Sequence, residues 1–261
     1  MVILKKHYAL LIGVMAMAVL NAGAAEQKIR TPYLDGWDQV PLKEMERQAA
    51  AFPGQYWIAG PGERKQIALT FDDGPTEQTS ELLQVLEKHN IHATFFWLGK
   101  QAEQFPEIVK AAAAAGHTIG NHSYDHPYSS KISTEVFTQQ QFAPTQKVFQ
   151  SILGFAPTLF RPPYGDLSDA EMLSLQKNKM HAISWSIDTR DWLVAWKKGQ
   201  PSEIEKTVLD YAHPEAIVLM HDGGGPRQRT INAADAFIPK LKQQGYEFVT
   251  VDKLLGVAGK Q

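Results

Sequence analysis

The stretch IALTFDDGP, residues 67–75, joins an apolar run of strand length to two adjacent carboxylates and a Gly-Pro pair. Residues 67–71 are mostly aliphatic or aromatic, which is typical of a buried β-strand. Asp72 and Asp73 follow at the point where that strand ends. Asp, Gly and Pro are also ordinary turn residues, so a plain turn is the competing interpretation. Because two neighbouring carboxylates repel each other unless a cation lies close, we predict a strand that ends in a charged site.

The same arrangement recurs along the rest of the chain. Strands are predicted at residues 67–71, 93–98, 117–120, 158–160, 182–187, 216–220 and 248–251. Helices are predicted at 79–88, 102–115, 134–153, 168–177, 202–212 and 232–244. Gly116, Gly154 and Gly245 stand at helix ends, as left-handed C-terminal caps require. Strands that alternate with helices predict an α/β fold with a parallel sheet.

Polar clusters follow directly after five of these strands. They are Asp72-Asp73, His122, Arg161, residues 188–191 and His221-Asp222. A barrel brings such loops together on one face, whereas an open doubly wound sheet gathers only those near its switch point. Five clusters at five strand ends therefore favour a closed or partly closed barrel in a single catalytic domain.

The overall composition is that of a globular protein and narrows the chemistry. The 261 residues include 26 Lys+Arg and 28 Asp+Glu, a formal charge of -2, and no cysteine. With its charge near neutral, the chain lacks the excess of basic residues that is typical of proteins that bind nucleic acid or an anionic membrane surface. Without cysteine there are no disulfides and no thiol nucleophiles, and any metal must be held by His, Asp or Glu.

Residues 1–25 predict a secretory signal peptide. Lys5 and Lys6 precede an apolar run, residues 8–20, and a small-residue stretch, residues 21–25. A spanning helix needs roughly 20 apolar residues, so an uncleaved anchor is the weaker alternative. We therefore expect an exported protein, periplasmic or secreted, with no stable membrane anchor after cleavage. Residues 26–65 are expected to form an N-terminal arm that packs on the domain and contains one short helix at 42–51.

His122 and His126 stand four residues apart, a standard spacing for gripping one divalent ion. The two rings share one face only if the segment turns helically, so the pair is weak by itself. Joined to a strand-end Asp, it would form a His-His-Asp site with open positions, which is typical of a catalytic metal. The histidines without an acidic or His partner nearby are expected to be structural. They are His89, His92, His181 and His213. His117 is added to them because an extended strand would hold it far from His122.

Three further strand ends carry candidate residues. Arg161, in RPPYG, can reach a carboxylate on the first strand's loop, although a rigid Pro turn with a surface Arg would look the same. The segment WSIDTRDW, residues 185–192, can orient a catalytic His and wall an apolar pocket. His221 follows a fully apolar strand, and the glycines after it lack the Lys-Ser/Thr of a phosphate loop. Arg227 and Arg229 are expected on a solvated loop rather than against an anionic substrate.

The ordered set TFDDGP, HSYDH, RPPYG, DTRDW and LMH resembles the polysaccharide deacetylase family with its NodB-type domain. The resemblance covers roughly residues 66–256 and leaves out the N-terminal arm and a tail, residues 257–261. The family implies a distorted (β/α)7-type barrel that removes N- or O-acetyl groups from sugar polymers with a divalent metal, commonly zinc. Cobalt, nickel or manganese would suit the same donors.

Carried onto this chain, the resemblance implies roles for ten residues. The metal ligands would be Asp73, His122 and His126. The general base would be Asp72, paired with Arg161, and the general acid would be His221, tuned by Asp191. The backbone N–H of Tyr164 would contribute to the oxyanion hole, and Trp192 and Leu219 would line the acetyl pocket.

The predicted function is hydrolysis of N-acetyl groups, which are linear amides, on the amino sugars of a polysaccharide or oligosaccharide. Peptidoglycan, chitin-type oligosaccharides, another glucosamine polymer and acetylated xylan all remain open as substrates. One alternative is an O-acetyl glycan esterase on the same fold. Another is an inactive carbohydrate-binding protein, which would be expected to lack Asp72 or His221. A phosphatase with Asp-x-Asp-Gly after its first strand fits poorly, because the two acids here are adjacent.

Overall fold

The computed structural model describes residues 27–36, 38 and 40–261, so the predicted signal peptide lies outside the described residues. Within them, parallel strands pair into one sheet. The strands are β1 (Tyr56–Trp57), β2 (Gln66–Asp72), β3 (Thr94–Trp97), β4 (Thr118–Asn121), β5 (Leu159–Phe160), β6 (His181–Ile183), β7 (Ile187–Asp188), β8 (Ala216–His221) and β9 (Glu247–Phe248). Their order is β1-β6-β5-β4-β3-β2-β8-β7, with β9 also paired to β2.

The sheet curls into a half-barrel whose two ends are joined by one short segment. The sequence predicts a single strand over 182–187, but the chain forms two strands there. β6 pairs with β1 and β5, while β7 pairs with β8 at the other end of the sheet. Between them, Ser184 N–H donates to Trp57 O (2.7 Å) and Ser186 N–H donates to Ile217 O (3.0 Å). This near closure confirms the predicted α/β fold of the distorted (β/α)7 type.

Helices surround the sheet. They are α1 (Leu42–Ala51), α2 (Thr79–Lys88), α3 (Gly99–Gln104), α4 (Pro106–Ala114), α5 (Thr134–Val136), α6 (Ala143–Leu153), α7 (Asp169–Lys177), α8 (Asp191–Trp196), α9 (Pro201–Tyr211), α10 (Gln228–Gln243) and α11 (Val251–Leu255). A π-helical segment, Phe137–Phe142, joins α5 to α6, and single 3₁₀ turns lie at Ser129–Lys131 and Pro163–Gly165. No helix among the described residues is both long and apolar enough to cross a membrane.

Two predicted helices are interrupted, each beside a proline. The predicted helix over 102–115 is split at Phe105 because Pro106 begins a new helix. The one over 134–153 contains the π segment just before Pro144, the second residue of α6. Proline has no N–H and its ring clashes with the preceding turn, which disfavours a regular helix at these two positions, although α10 accommodates Pro239 in its interior. The predicted last strand, 248–251, ends at Phe248 because Val251 begins α11.

The alternation of side chains along β2 decides what faces the barrel interior. Leu69 and Phe71 are fully buried against the surrounding helices, in the same cluster as Phe237 of α10. Ala68, on the opposite face, packs inside the barrel. Because successive side chains of a strand point to opposite faces, Asp72 lies on the same inner face as Ala68. The strand therefore delivers a carboxylate to the interior at its carboxyl end.

The described part of the N-terminal arm lies against the end of the barrel at β7. Arg30 N–H donates to Ser186 O (2.7 Å), and the N–H of Asp188 donates to Thr31 Oγ1 (3.1 Å). Helix α1 is held by Gln48, whose amide donates to Leu167 O at 2.5 Å. These contacts carry the arm to the carboxyl end of the strands.

Candidate active site

The carboxyl ends of the strands open into a cavity of about 470 Å³. Eight of the ten residues singled out in the sequence line it: Asp72, Asp73, His122, His126, Tyr164, Trp192, Leu219 and His221. The other two, Arg161 and Asp191, are fully buried and bond to members of that set. The fold therefore gathers all ten around one space.

Asp73, His122 and His126 form a group whose ligand atoms all lie within 4.8 Å of one another. Asp73 Oδ1 is 3.4 Å from His122 Nε2 and 3.2 Å from His126 Nε2. That oxygen is buried and accepts no hydrogen bond from the described residues. A buried carboxylate oxygen without a partner is costly. A divalent cation would satisfy it, and one carboxylate with two imidazoles suits such an ion.

The protonation states of these three side chains also suit a cation. His122 Nδ1 lies 2.7 Å from Arg161 O, and because a carbonyl only accepts, Nδ1 carries the proton and Nε2 is left free. Burial, together with the neighbouring His122, lowers the pKa of His126 to about 4, so its ring is neutral. Burial alone would raise the pKa of Asp73, but the adjacent imidazoles outweigh it and lower that pKa. Metal ligands must be deprotonated in this way.

The His122–His126 segment is a loop and not a helical turn, so the i, i+4 spacing does not by itself place the two rings together. Ser123 and His126 both have left-handed backbone angles, with φ near 69°. Ser123 Oγ accepts from His126 N–H (3.1 Å), and Gln141 Oε1 accepts from the N–H groups of Tyr124 and Asp125 (3.1 and 3.2 Å). Gln141 belongs to the π-helical segment, and such segments are often found at functional sites. The two rings converge because this loop is folded back and pinned.

Arg161 is fully buried and pairs with Asp72, which excludes a surface arginine on a Pro turn. Its Nη1 lies 2.8 Å from Asp72 Oδ1, and it also donates to Thr70 Oγ1 (2.6 Å). Its remaining nitrogens donate to the carbonyls of Ile183 and Ser184 (3.2 and 2.9 Å). The second oxygen of Asp72 lies 3.7 Å from His122 Nε2. One carboxylate oxygen is thus held, and the other is next to the candidate metal group.

We expect Arg161→Met to destabilise the protein by about 3–5 kcal/mol, because it leaves the buried carboxylate of Asp72 without its cation. The double variant Arg161→Met/Asp72→Asn should recover part of this loss, since the amide carries no charge. Denaturant unfolding followed by circular dichroism measures both free energies. Exposed ion pairs contribute less than about 1 kcal/mol to the free energy of unfolding. If Arg161→Met lowered that free energy by no more than this, the Arg161–Asp72 pair would not be desolvated.

Asp191 holds His221 in one orientation. Its Oδ1 lies 2.7 Å from His221 Nδ1, and its Oδ2 accepts from His221 N–H (2.8 Å) and Thr230 Oγ1 (2.7 Å). Burial alone would lower the pKa of His221, but the charge and hydrogen bond of Asp191 outweigh it and raise that pKa to about 9. The ring is therefore protonated near neutral pH, with Nδ1 bound to Asp191. Thr230 gave no signal in the sequence, because it lies 39 residues from Asp191.

Tyr164 lies in the 3₁₀ turn after β5 with a left-handed φ of 59°. Its ring is stacked on Tyr128 at 3.8 Å and meets His126 edge-on at 4.5 Å. The first N–H groups of a helical turn have no partner inside it. Because Pro162 and Pro163 have no N–H, Tyr164 supplies the first donor of this turn.

The N-terminal arm also lines the cavity, which the sequence did not indicate. Its lining residues are Ile29, Thr31, Asp38, Val40, Leu42 and Met45. Arg190 anchors the arm by donating to Pro32 O and by pairing with Asp38 Oδ2 (3.4 Å). No motif marks these residues, because their contacts bridge about 150 positions along the chain.

Asp222 is a buried carboxyl group that the sequence analysis left without a role. It accepts from Thr79 Oγ1 (2.6 Å) and Trp97 Nε1 (3.0 Å), and burial raises its pKa to about 7. A Cβ atom on Gly74 would lie 2.3 Å from its Oδ2, so only glycine allows this approach. Asp222 thereby positions the turn that follows Asp72 and Asp73.

The histidines expected to be structural lie outside the cavity, but two of them have partners nearby, and one arginine expected on a solvated loop is buried. His89 has an acidic partner, Asp235, at 2.7 Å, and His92 lies edge-on to His117 at 5.8 Å. None of these histidines lines the cavity, and His117 Nδ1 accepts from the N–H of Ala93, which is a structural contact. Arg227 is not solvated: it is 4% exposed and lines the cavity. Non-local packing brings His89 to Asp235, His92 to His117 and Arg227 to the cavity, and the local sequence carries no sign of these contacts.

Comparison with known proteins identifies similar chains. Residues 59–188 match the family model described as polysaccharide deacetylase. A peptidoglycan-N-acetylglucosamine deacetylase of Bacillus cereus is 38% identical over 217 residues, which cover 82% of this chain and 74% of the relative. A peptidoglycan-N-acetylmuramic acid deacetylase, PdaC of Bacillus subtilis, is 38% identical over 192 residues, 73% of this chain but only 39% of the relative.

Solved structures give the same likeness. The crystal structure of the Bc1960 peptidoglycan N-acetylglucosamine deacetylase superposes with a TM-score of 0.75 at 37% identity, covering 79% of this chain and 95% of that one. BA3943 of Bacillus anthracis is described as a CE4 family pseudoenzyme. It superposes with a TM-score of 0.70 at 29% identity, and the match covers 78% of this chain and 70% of that one. Active and inactive proteins thus share this fold.

Proposed function

Because the chain belongs to the polysaccharide deacetylase family, we propose that it removes N-acetyl groups from the amino sugars of an exported glycan, with peptidoglycan as the first candidate. The observation that carries this proposal is the convergence of two proton-transfer pairs on one cavity. Asp72 with Arg161 and His221 with Asp191 adjoin the Asp73–His122–His126 group. The names of the similar proteins support peptidoglycan as the substrate.

Asp73, His122 and His126 would hold a divalent cation. The orphaned Asp73 Oδ1 and the Nε2 atoms of His122 and His126, which lie 3.4 and 3.2 Å from it, support this assignment. Zinc suits this donor set best, and cobalt, nickel or manganese share it. When bound, such an ion polarises the acetyl carbonyl and activates water as a nucleophile.

Asp72 acts as the general base that takes the proton of the attacking water. Arg161 binds Oδ1 and so holds the carboxylate in one orientation, which leaves Oδ2 at the candidate metal group. The tetrahedral oxyanion accepts a hydrogen bond from Tyr164 N–H, and one such donor contributes roughly 3–4 kcal/mol in comparable sites. Trp192 and Leu219 enclose the acetyl methyl group in an apolar pocket.

His221 acts as the general acid. An amide hydrolyses only if its nitrogen leaves as a neutral amine, so a proton must reach that nitrogen. Asp191 binds the Nδ1 proton and thereby leaves the Nε2 proton available for donation. The raised pKa of His221, about 9, keeps this proton in place near neutral pH.

We propose that the protein acts in the periplasm or the extracellular space. The signal-peptide pattern in residues 1–25 supports export. The similar proteins named as peptidoglycan deacetylases also act on a polymer outside the cytoplasm, which supports the same location.

Acetate release from a panel of glycans tests the proposed function. We expect the purified protein to release acetate from peptidoglycan and chitin oligosaccharides in proportion to its metal content. Release from acetylated xylan alone would instead assign an O-acetyl esterase. Full metal content without any release would assign a carbohydrate-binding protein, in spite of the retained Asp72 and His221.

A further inference from the structure

Arg227 is a buried cation whose guanidinium has no carboxylate partner in the described part of the chain. It is 4% exposed, its backbone N–H donates to Gln78 Oε1 (2.9 Å), and its Nε donates to Gly223 O (2.5 Å). Among residues 27–36, 38 and 40–261, no carboxylate oxygen lies within 4.0 Å of a guanidinium nitrogen of Arg227, which is the distance that defines an ion pair. An unpaired charge is costly to bury fully. The Nη atoms of Arg227 are not among the fully enclosed unpartnered atoms, so they open to the cavity that the residue lines.

Two other arginines beside the cavity are each paired with a carboxylate. Arg161 pairs with Asp72 at 2.8 Å, and Arg190 pairs with Asp38 at 3.4 Å. Arg227 differs in that its Nη atoms, the two nitrogens that form the terminal fork, have no hydrogen-bond partner among the described residues. Its main-chain and Nε contacts fix the side chain in place and leave the fork for a ligand.

The fork lies next to the reaction centre. Arg227 and Gly224 both line the catalytic cavity. Arg227 Nη2 is 3.3 Å from the point that a Cβ atom on Gly224 would occupy, and Asp73 Oδ2 is 2.7 Å from the same point. Arg227 also precedes the first turn of α10, a helix of 16 residues whose N-terminal end adds positive potential. An anion bound by Arg227 would therefore sit beside the candidate metal ligands.

We propose that Arg227 binds a carboxylate carried by the substrate on the carbon next to the N-acetyl group, so that the site favours N-acetylmuramic acid units with a free lactyl carboxylate. This inference rests on the proposed function. N-acetylglucosamine has only a hydroxyl at that carbon, whereas the lactyl ether of muramic acid ends in a carboxylate. A guanidinium with two free nitrogens matches a carboxylate bidentately, which a hydroxyl cannot do.

A matched pair of substrates tests this proposal. Muramic-acid oligosaccharides with a free lactyl carboxylate are compared with the same compounds carrying the lactyl group as a carboxamide. We expect the wild-type protein to favour the carboxylate by about 10- to 100-fold in kcat/KM, the value of a charge-assisted contact. Arg227→Gln should reduce that ratio to near one, and Arg227→Lys should keep part of it. Because the wild-type ratio needs no variant to fold, a wild-type ratio below about threefold overturns the proposal.

Two further results separate the remaining explanations. Acetate, the product, is also a carboxylate, so its inhibition constant is measured in the wild type and in Arg227→Gln. If that constant rises about tenfold while the substrate ratio is unchanged, Arg227 binds the product and the proposal is wrong. If both substrates lose activity equally in Arg227→Gln, the residue only supports the glycine loop, and the proposal is also wrong. Failure of the proposed function differs from both, because the wild type would then release no acetate from any N-acetyl glycan.

Discussion

His221→Ala is expected to lose roughly 100- to 10,000-fold in the rate of acetate release, the usual contribution of general acid–base catalysis, while it keeps its metal and its fold. His221 follows a different strand from the three candidate ligands and is held by Asp191, so its removal takes away a proton donor and no ligand. The loss should shrink on an acetyl ester with a phenolate leaving group, because that group departs without a proton. Rates on both substrates and metal analysis measure this result.

The pH profile gives an independent measure of the same residue. The pKa of His221 is raised to about 9, so the donor is protonated below that pH and loses its proton above it. The wild-type rate should therefore fall as the pH rises through about 9, and the His221→Ala profile should lack that limb. Asp191→Asn removes the charge that raises the pKa, so its alkaline limb should move to lower pH. A variant that loses its metal, or that is equally impaired on amide and phenolate ester, would contradict the assignment.

His126→Ala is expected to remove the bound metal and, with it, nearly all acetate release. The remaining ligands, Asp73 and His122, would grip a divalent ion far more weakly than three donors do. His126 is only partly buried, with 22% of its side chain exposed, so the fold should tolerate the truncation. Metal content after dialysis, measured beside activity, gives the result.

His92→Ala is the matched control for this experiment. His92 is exposed and lies against His117, outside the cavity, so its removal should leave both metal content and activity unchanged. Full metal content with unchanged activity in His126→Ala would remove the proposed site. Equal metal loss in both variants would point to a general effect of removing a histidine.

Much of the fold could be predicted from local patterns. The apolar run of residues 67–71 and the carboxylates after it placed a strand and the acidic side chains at its carboxyl end correctly, because side chains alternate along a strand and parallel strands share one carboxyl edge. Gly116, Gly154 and Gly245 all have the positive φ expected of C-terminal caps. The breaks beside Pro106 and Pro144 were not predicted, because the helical periodicity continues across both prolines.

Pairing between distant strands could not be predicted in the same way. The segment 182–187 is uniformly strand-like, and only its partners, β1 and β5 on one side and β8 on the other, divide it into two strands. The strand β1 is two residues long and exists because it pairs with β6. Strand propensity depends on the neighbours that a segment packs against, so short edges of this kind carry little local signal.

By itself, the sequence determined which side chains stand at the strand ends, and hence which residues can reach a common site. Only the tertiary structure decided how they are arranged and charged there. His126 approaches Asp73 through a left-handed loop held by Gln141, the pKa of His221 depends on Asp191, and Arg227 is buried beside the cavity. Each of these outcomes depends on desolvation and on charges that lie far apart along the chain but a few ångströms apart in space. Residue type and spacing along the chain do not encode those distances.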